Sequence, residues 1–249
     1  MGYCKKYALS LTELAAHTSE RDVQRTIATR LIYGCYPEVV TSPEYARDTL
    51  HAITNSYLYK DILLYKGLKK ADVLYNLVRA LALQVGSEVS YNELAGLVGV
   101  DKDTVARYLD LLEKCFVIFR LNSFSRNGRN EIKKGKKVYF YDNGVRNAVI
   151  NNFAPIELRN DMGALWENMM IAERKKRNAM VGSYAQPFFW RTHDQSEVDY
   201  IEECDGIILP FEFKWSAKRK PRLPSAFCDA YGNPELQVIT PENFWNFLK

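Results

Sequence analysis

Residues 196–215, SEVDYIEECDGIILPFEFKW, constrain the fold more than any other stretch of the chain. Apolar and charged residues alternate on both sides of Asp205–Gly206, a dipeptide that favours the tight turn of a β-hairpin. Alternation puts Phe211, Phe213 and Trp215 on one face of a strand. Glu212 and Lys214 share the other face, roughly 7 Å apart by the rise per residue. On the preceding strand Asp199 is out of phase with Val198 and Tyr200. The hairpin brings it towards Glu212, with the register left open. Two acids and a lysine on one face have two readings: the solvated outside of an ordinary hairpin, or a reaction centre. The acid-x-lysine tripeptide alone favours the solvated outside.

The surroundings shift the balance. RNDMGALWENMMIAERKKRN reads as a helix, and strands are expected at Phe188–Arg191, Glu197–Glu202 and Ile207–Trp215. LQVIT reads as a further strand and PENFWNFLK as a closing helix, so residues 151–249 form an α/β region. Upstream, ADVLYNLVRALALQVG, SYNELAGLVGV and DKDTVARYLDLLEKC have helical periods. Ser90 and Glu93 make a capping-box pattern and Gly99 can close the second helix. FVIFRL and KKVYFYD follow as strands. Three helices and then a basic hairpin are the order of parts in a winged helix-turn-helix, expected over residues 71–150. Residues 1–70 read as a helical segment, with a long amphipathic helix from Glu44 to Lys66. The expected class is α+β.

A carboxylate pair beside an ammonium suits phosphodiester chemistry. Hard oxygen ligands hold Mg²⁺, which keeps several waters. The ion lowers the pKa of a bound water and stabilises charge on phosphoryl oxygens. Asp199 and Glu212 are the expected metal ligands, and Lys214 orients the attacking water. A third acid comes from the preceding helix: Glu167, with Glu173 as the weaker choice.

The net charge is +4, which permits a nucleic-acid partner without demanding one. The expected DNA contacts are Arg126, Arg129, Lys133, Lys134, Lys136 and Lys137, on the tip of the basic hairpin. A solvated surface hairpin is the alternative. The third helix opens on Asp101 and Asp103, which suit capping better than a phosphate backbone. That favours a scaffold or a protein interface for the helical part. ERKKR at 173–177 sits towards a helix end, and KRKPR at 218–222 either funnels a backbone or stays a charged loop. His193 is a conceivable general base, although a polar turn histidine is the simpler reading. The five cysteines are scattered without a CxxC pair, which argues for reduced thiols and no zinc site. No apolar run approaches the ~20 residues of a membrane span. A cytoplasmic location is expected.

The set Asp199, Glu212 and Lys214 resembles the core motif of the PD-(D/E)xK nuclease superfamily, with Val198 where a proline often precedes the first acid. A wider resemblance runs through YGCYPEVV, YLYKDIL, VSYNELAGLVGVDKDTVARYLDLLEKCFVIFRLNSFSRNGRNEIKK, KVYFYDNGVRNAVI, GALWENMM, FFWRTHDQSEVDYI and FEFKWS. These segments resemble, in order, the C-terminal region of a prokaryotic family of AAA-type ATPases. The resemblance implies a winged helix and a nuclease-like domain that follow a P-loop module. No GxxxxGK[ST] occurs here, so no ATP binding is expected from these residues. The chain is expected to be a fragment or a form lacking its motor. The implied partners are DNA, an ATPase module or another protein. The alternative to a nuclease is a non-catalytic binding module on a degenerate nuclease fold.

Overall fold

The computed structural model describes residues 8–56, 71–125, 135–192, 194–216 and 221–249. Helix α1 (Leu11–His17) opens on a full capping box. The Ser10 hydroxyl accepts from the Glu13 N–H, and the Glu13 carboxylate accepts from the Ser10 N–H at 2.7 Å. Helix α2 (Glu20–Tyr33) is capped by Ser19 and stops at Gly34, whose φ is 69°. A Cβ there would fall 2.0 Å from Asp142 Oδ1, so both the backbone and the space require glycine. Helices α3 (Pro37–Thr41) and α4 (Ala46–Ile53) follow, with a 3₁₀ turn at Pro43–Tyr45 between them. The long helix expected from Glu44 therefore begins as a separate turn. Its second half, with Tyr57 and Leu64, lies outside the described residues.

Helix α5 (Ala71–Leu83) leads to a short strand β1 (Glu88–Val89), then α6 (Tyr91–Val98) and α7 (Lys102–Lys114). Ser90 caps α6, and Gly99 ends it in the left-handed region at φ 70°. Asp101 caps α7 by accepting from the Thr104 N–H at 2.7 Å. Val105, Leu109 and Leu112 are fully buried, as their spacing requires. Strands β2 (Ile118–Ser123) and β3 (Lys136–Phe140) pair antiparallel with Ile118 opposite Phe140, and β1 adds to the far side of β3.

Helix α8 (Asn143–Val149) is buried along its whole length. Its polar residues are matched inside: Arg146 donates to the Ala82 carbonyl at 2.7 Å and pairs with Asp161, while Asn147 donates to the Ile32 carbonyl. A helix enclosed on every side has no polar stripe, so periodicity does not reveal it.

The last part is helix α9 (Met162–Val181), strands β4 (Gln186–Arg191), β5 (Glu197–Cys204) and β6 (Ile207–Phe213), helix α10 (Ser225–Tyr231), strand β7 (Gln237–Ile239) and helix α11 (Phe244–Leu248). The expected order of elements is present, and α10 falls in the segment read as a plain connection. Asp205 and Gly206, with φ values of 52° and 84°, turn β5 into β6.

Among the described residues seven strands form one mixed sheet in the order β1-β3-β2-β4-β5-β6-β7. Strand β2 lies parallel to β4, and β6 parallel to β7. One apolar cluster runs from Ala8 to Leu248 and includes Trp166, Phe213 and Phe244. A smaller one joins Phe124, Trp190, Val198, Ile201 and Phe227. Among the described residues no helix is long and apolar enough to cross a membrane.

Candidate active site

Strand β5 does not alternate strictly. Between the pairs Phe188–Ile201 and Trp190–Val198 it holds one residue more than β4, a bulge at Asp199 and Tyr200. Val198 and Ile201 therefore share one apolar cluster while Tyr200 joins the other. This corrects the simple phase expected for Val198 and Tyr200. Strand β6 keeps its period, with Phe211 and Phe213 buried together. One step beyond the Tyr200–Phe211 pair along the same register lie Asp199 and Glu212.

At this point Asp199, Glu212 and Lys214 meet. The Lys214 ammonium donates to Glu212 Oε1 at 2.6 Å and lies 3.9 Å from Asp199 Oδ2. Asp199 Oδ2 also accepts from the Phe213 N–H at 2.9 Å, which fixes its orientation. Glu167 projects from α9 beside them. Its Oε1 accepts from the Tyr139 hydroxyl at 2.6 Å and from the Lys137 ammonium at 3.3 Å. Lys137 also pairs with Glu197, and Arg191 approaches Glu197 Oε2 at 3.4 Å.

Four carboxylates thus face two lysines, with an arginine at the rim. The electrostatics follow. Burial pushes the Glu167 carboxyl up to about 7, and the charges of Asp199 and Glu197 add to the rise. Lys137 and Tyr139 oppose it without cancelling it. Asp199 is also raised, chiefly by burial, against the pull of the Phe213 N–H and Lys214. Glu212 is raised by burial and by the charge of Asp199. Burial works against the charged form of Lys214, yet Glu212 and Asp199 more than offset it and its pKa rises. Burial raises the Tyr139 phenol further, so it stays a donor.

This gives a pH test. A carboxyl raised in the folded state binds its proton more tightly there than in the unfolded chain, so stability falls as pH rises from about 4.5 to about 7. Glu167→Gln is expected to flatten that decline by on the order of 1–3 kcal/mol, read from urea melts at pH 4.5 and 8. An unchanged slope contradicts the raised carboxyl.

Among the described residues no group of three or more His, Cys, Asp or Glu is gathered closely enough to hold a metal alone. Magnesium needs less, because it is commonly held by one or two carboxylates and several waters. Asp199 and Glu212 supply hard oxygen donors, and the surplus of carboxylate over ammonium favours a cation. A pair of carboxylates is the kind of donor set that magnesium accepts.

Other expected residues go elsewhere. Glu173 is buried, accepts from the Leu11 N–H at 2.6 Å and pairs with Lys176, so it ties α9 to α1. The basic run at 173–177, expected towards a helix end, is absorbed by the fold. Arg174 pairs with Glu202, Lys175 lies over the Phe119 ring, and Arg177 donates to the Lys249 carbonyl. Lys137 is also placed differently from the exposed tip assumed for it: it is 2% exposed and points into the site. Lys136 is half-buried at the start of β3. Arg126, Arg129, Lys133, Lys134, His193 and most of the basic stretch at 218–222 lie outside the described residues. Tyr139 and Glu197 are site residues that sequence reasoning missed, and Lys137 was expected as a DNA contact instead. Lys137 and Tyr139 stand two apart on β3, a spacing that puts them on one face.

Two family models match the chain. Residues 24–155 match the family described as "Domain of unknown function (DUF8612)", and residues 162–243 match "Domain of unknown function (DUF4143)". An uncharacterized protein of Haemophilus influenzae is 29% identical over 157 residues, 59% of this chain and 39% of its own length. An uncharacterized protein of Mycobacterium tuberculosis is 27% identical over 211 residues, 83% of this chain and 47% of its own length. The chain thus spans less than half the length of these relatives. No solved structure matches it.

Proposed function

The chain belongs to the DUF8612 family, whose model covers more than half of it, and from the chemistry of its C-terminal sheet we propose that it is a magnesium-dependent nuclease acting on DNA. The observation that carries this reading is the meeting of Asp199, Glu212 and Lys214, with Glu167 beside them. The succession α9, β4, β5, β6, α10, β7 supports a PD-(D/E)xK-like domain. Three helices ahead of the β2–β3 hairpin support a winged helix. In the longer relatives, coupling to an AAA-type ATPase module is proposed.

Asp199 and Glu212 would hold the magnesium ion. When bound, it supplies Lewis acidity towards the phosphoryl oxygen and a water of lowered pKa. The Lys214 ammonium orients the attacking water and offsets the negative charge that grows on the phosphoryl group. Glu167, with a carboxyl near neutrality, accepts the proton that the water loses as its oxygen bonds to phosphorus. The departing sugar oxygen takes a proton from solvent. The basic residues Arg126, Arg129, Lys133 and Lys134, in the segment joining β2 to β3, would contact phosphates outside the reaction centre.

The test is incubation of the purified chain with supercoiled plasmid and single-stranded DNA in Mg²⁺ or Mn²⁺. Cleavage is expected, with complete loss on chelation by EDTA and a loss on the order of 10²-fold in Lys214→Ala. Binding without cleavage would support a non-catalytic module instead. The engagement of Glu167 by Lys137 and of Glu212 by Lys214 is the observation that favours that second reading. A steep fall of affinity with salt is expected of phosphate contacts in either case.

A further inference from the structure

We propose that Lys137, which lies in the N-terminal family match and outside the sheet region that carries the acids, is a positioning residue of the candidate site: its buried ammonium holds the Glu167 carboxylate in place. This rests on the nuclease reading above and extends it.

The geometry is specific. The Lys137 side chain is 3% exposed, so substrate cannot reach it. A buried ammonium is expensive unless it is paired. Lys137 has two partners from two different elements, Glu167 on α9 and Glu197 on β5, and its ammonium lies 5.4 Å from the Phe189 ring centre. Tyr139, two residues along the same strand, donates to the same Glu167 oxygen. Strand β3 therefore clamps Glu167 from one side with two donors. Asp199 and Lys214 bear on it electrostatically. Gly86, with φ 76°, packs on the β3 side: a Cβ there would lie 3.4 Å from Glu167 Oε1 and 3.5 Å from Tyr139 Cε1. A long carboxylate side chain without such a clamp is free to change rotamer.

An acid-positioning role differs from a general structural one in how its effects combine. The experiment compares wild type, Lys137→Met, Glu167→Gln and the double variant for Mn²⁺ binding by calorimetry and for plasmid cleavage. Folding is checked by circular dichroism. Lys137→Gln, which keeps a donor, is the conservative variant. Lys137→Met is expected to lower cleavage, or Mn²⁺ affinity, about 10–100-fold, the range for residues that orient a metal site from behind. In the Glu167→Gln background the same change is expected to have less than about a threefold further effect, because its target is already gone. Lys137→Gln is expected to recover part of the loss. Folded Lys137→Met with unaltered cleavage and Mn²⁺ affinity overturns the proposal, and so do equal losses in both backgrounds. Loss of the fold in both lysine variants assigns Lys137 to stability alone and overturns it as well. A wild-type chain that neither binds Mn²⁺ nor cleaves instead removes the nuclease reading, and this inference with it.

Discussion

Asparagine in place of Asp199 is expected to reduce metal-dependent cleavage on the order of 10³-fold while leaving thermal stability unchanged or raised. The substitution is nearly isosteric. The amide oxygen can still accept the Phe213 N–H that orients the aspartate at 2.9 Å. What disappears is the negative charge. In the folded protein that charge is unfavourable: burial raises the Asp199 carboxyl, and its charge raises Glu167 and Glu212 in turn. Because the folded carboxyl is the raised one, ionised Asp199 weakens the fold most above its folded pKa and not at all at low pH. The gain in stability should therefore be visible at pH 8 and vanish near pH 3. Plasmid nicking and urea melts of wild type and variant at both pH values measure it. A folded Asp199→Asn protein that keeps more than about a tenth of the activity rules out Asp199 as a metal ligand.

Arg174→Ala is expected to destabilise the protein by about 3–5 kcal/mol at pH 7, the loss typical of stranding a buried charge. Glu202 is only 3% exposed and receives Arg174 Nε at 2.9 Å and NH2 at 2.6 Å. Asn178 and the Tyr200 hydroxyl complete its shell. The guanidinium also stacks 4.8 Å from the Phe247 ring centre and donates to the Phe247 carbonyl, so it fastens α11 to α9. Burial tends to raise the Glu202 carboxyl, but Arg174 and the other donors prevail and hold it below its ordinary value. A depressed carboxyl contributes stability above the unfolded pKa, near 4.5, and loses it as pH falls through the folded value. The deficit of Arg174→Ala should therefore shrink in acid. Urea denaturation at pH 7 and pH 4 checks both parts, and a deficit below about 1 kcal/mol at pH 7 sinks the argument. Cleavage per folded molecule should be retained, since the partners of Arg174 are Glu202 and Phe247 and not the acids of the candidate site.

The sequence revealed the site better than it revealed what supports the site. Glu212 and Lys214 were legible because side chains alternate along the end of β6, with Phe211 and Phe213 as markers of the buried face. Asp205–Gly206 marked the turn for a local steric reason that any sequence shows. Asp199 was found by its spacing, but the bulge that aims it was not visible, because an extra strand residue leaves no local signal. Lys137 was counted with its basic neighbours. Its burial depends on Glu167 and Glu197, 30 and 60 residues further on, and no local pattern carries that information. The same holds for Glu173 and Arg174, whose partners Leu11 and Glu202 come from distant elements. Helix α8 stayed hidden because its polar residues are satisfied inside the fold.

The seam between β2 and β4 has a further meaning. Asn122 and Ser123 run beside Phe188 and Phe189, and the Phe124 N–H donates to the Phe189 carbonyl across it. The two family matches meet on this line, so they share a hydrogen-bonded backbone edge in place of a bare linker. An unpaired edge of this kind invites association with other chains. Exchanging either half for a foreign one is therefore expected to require the strand spacing of the other.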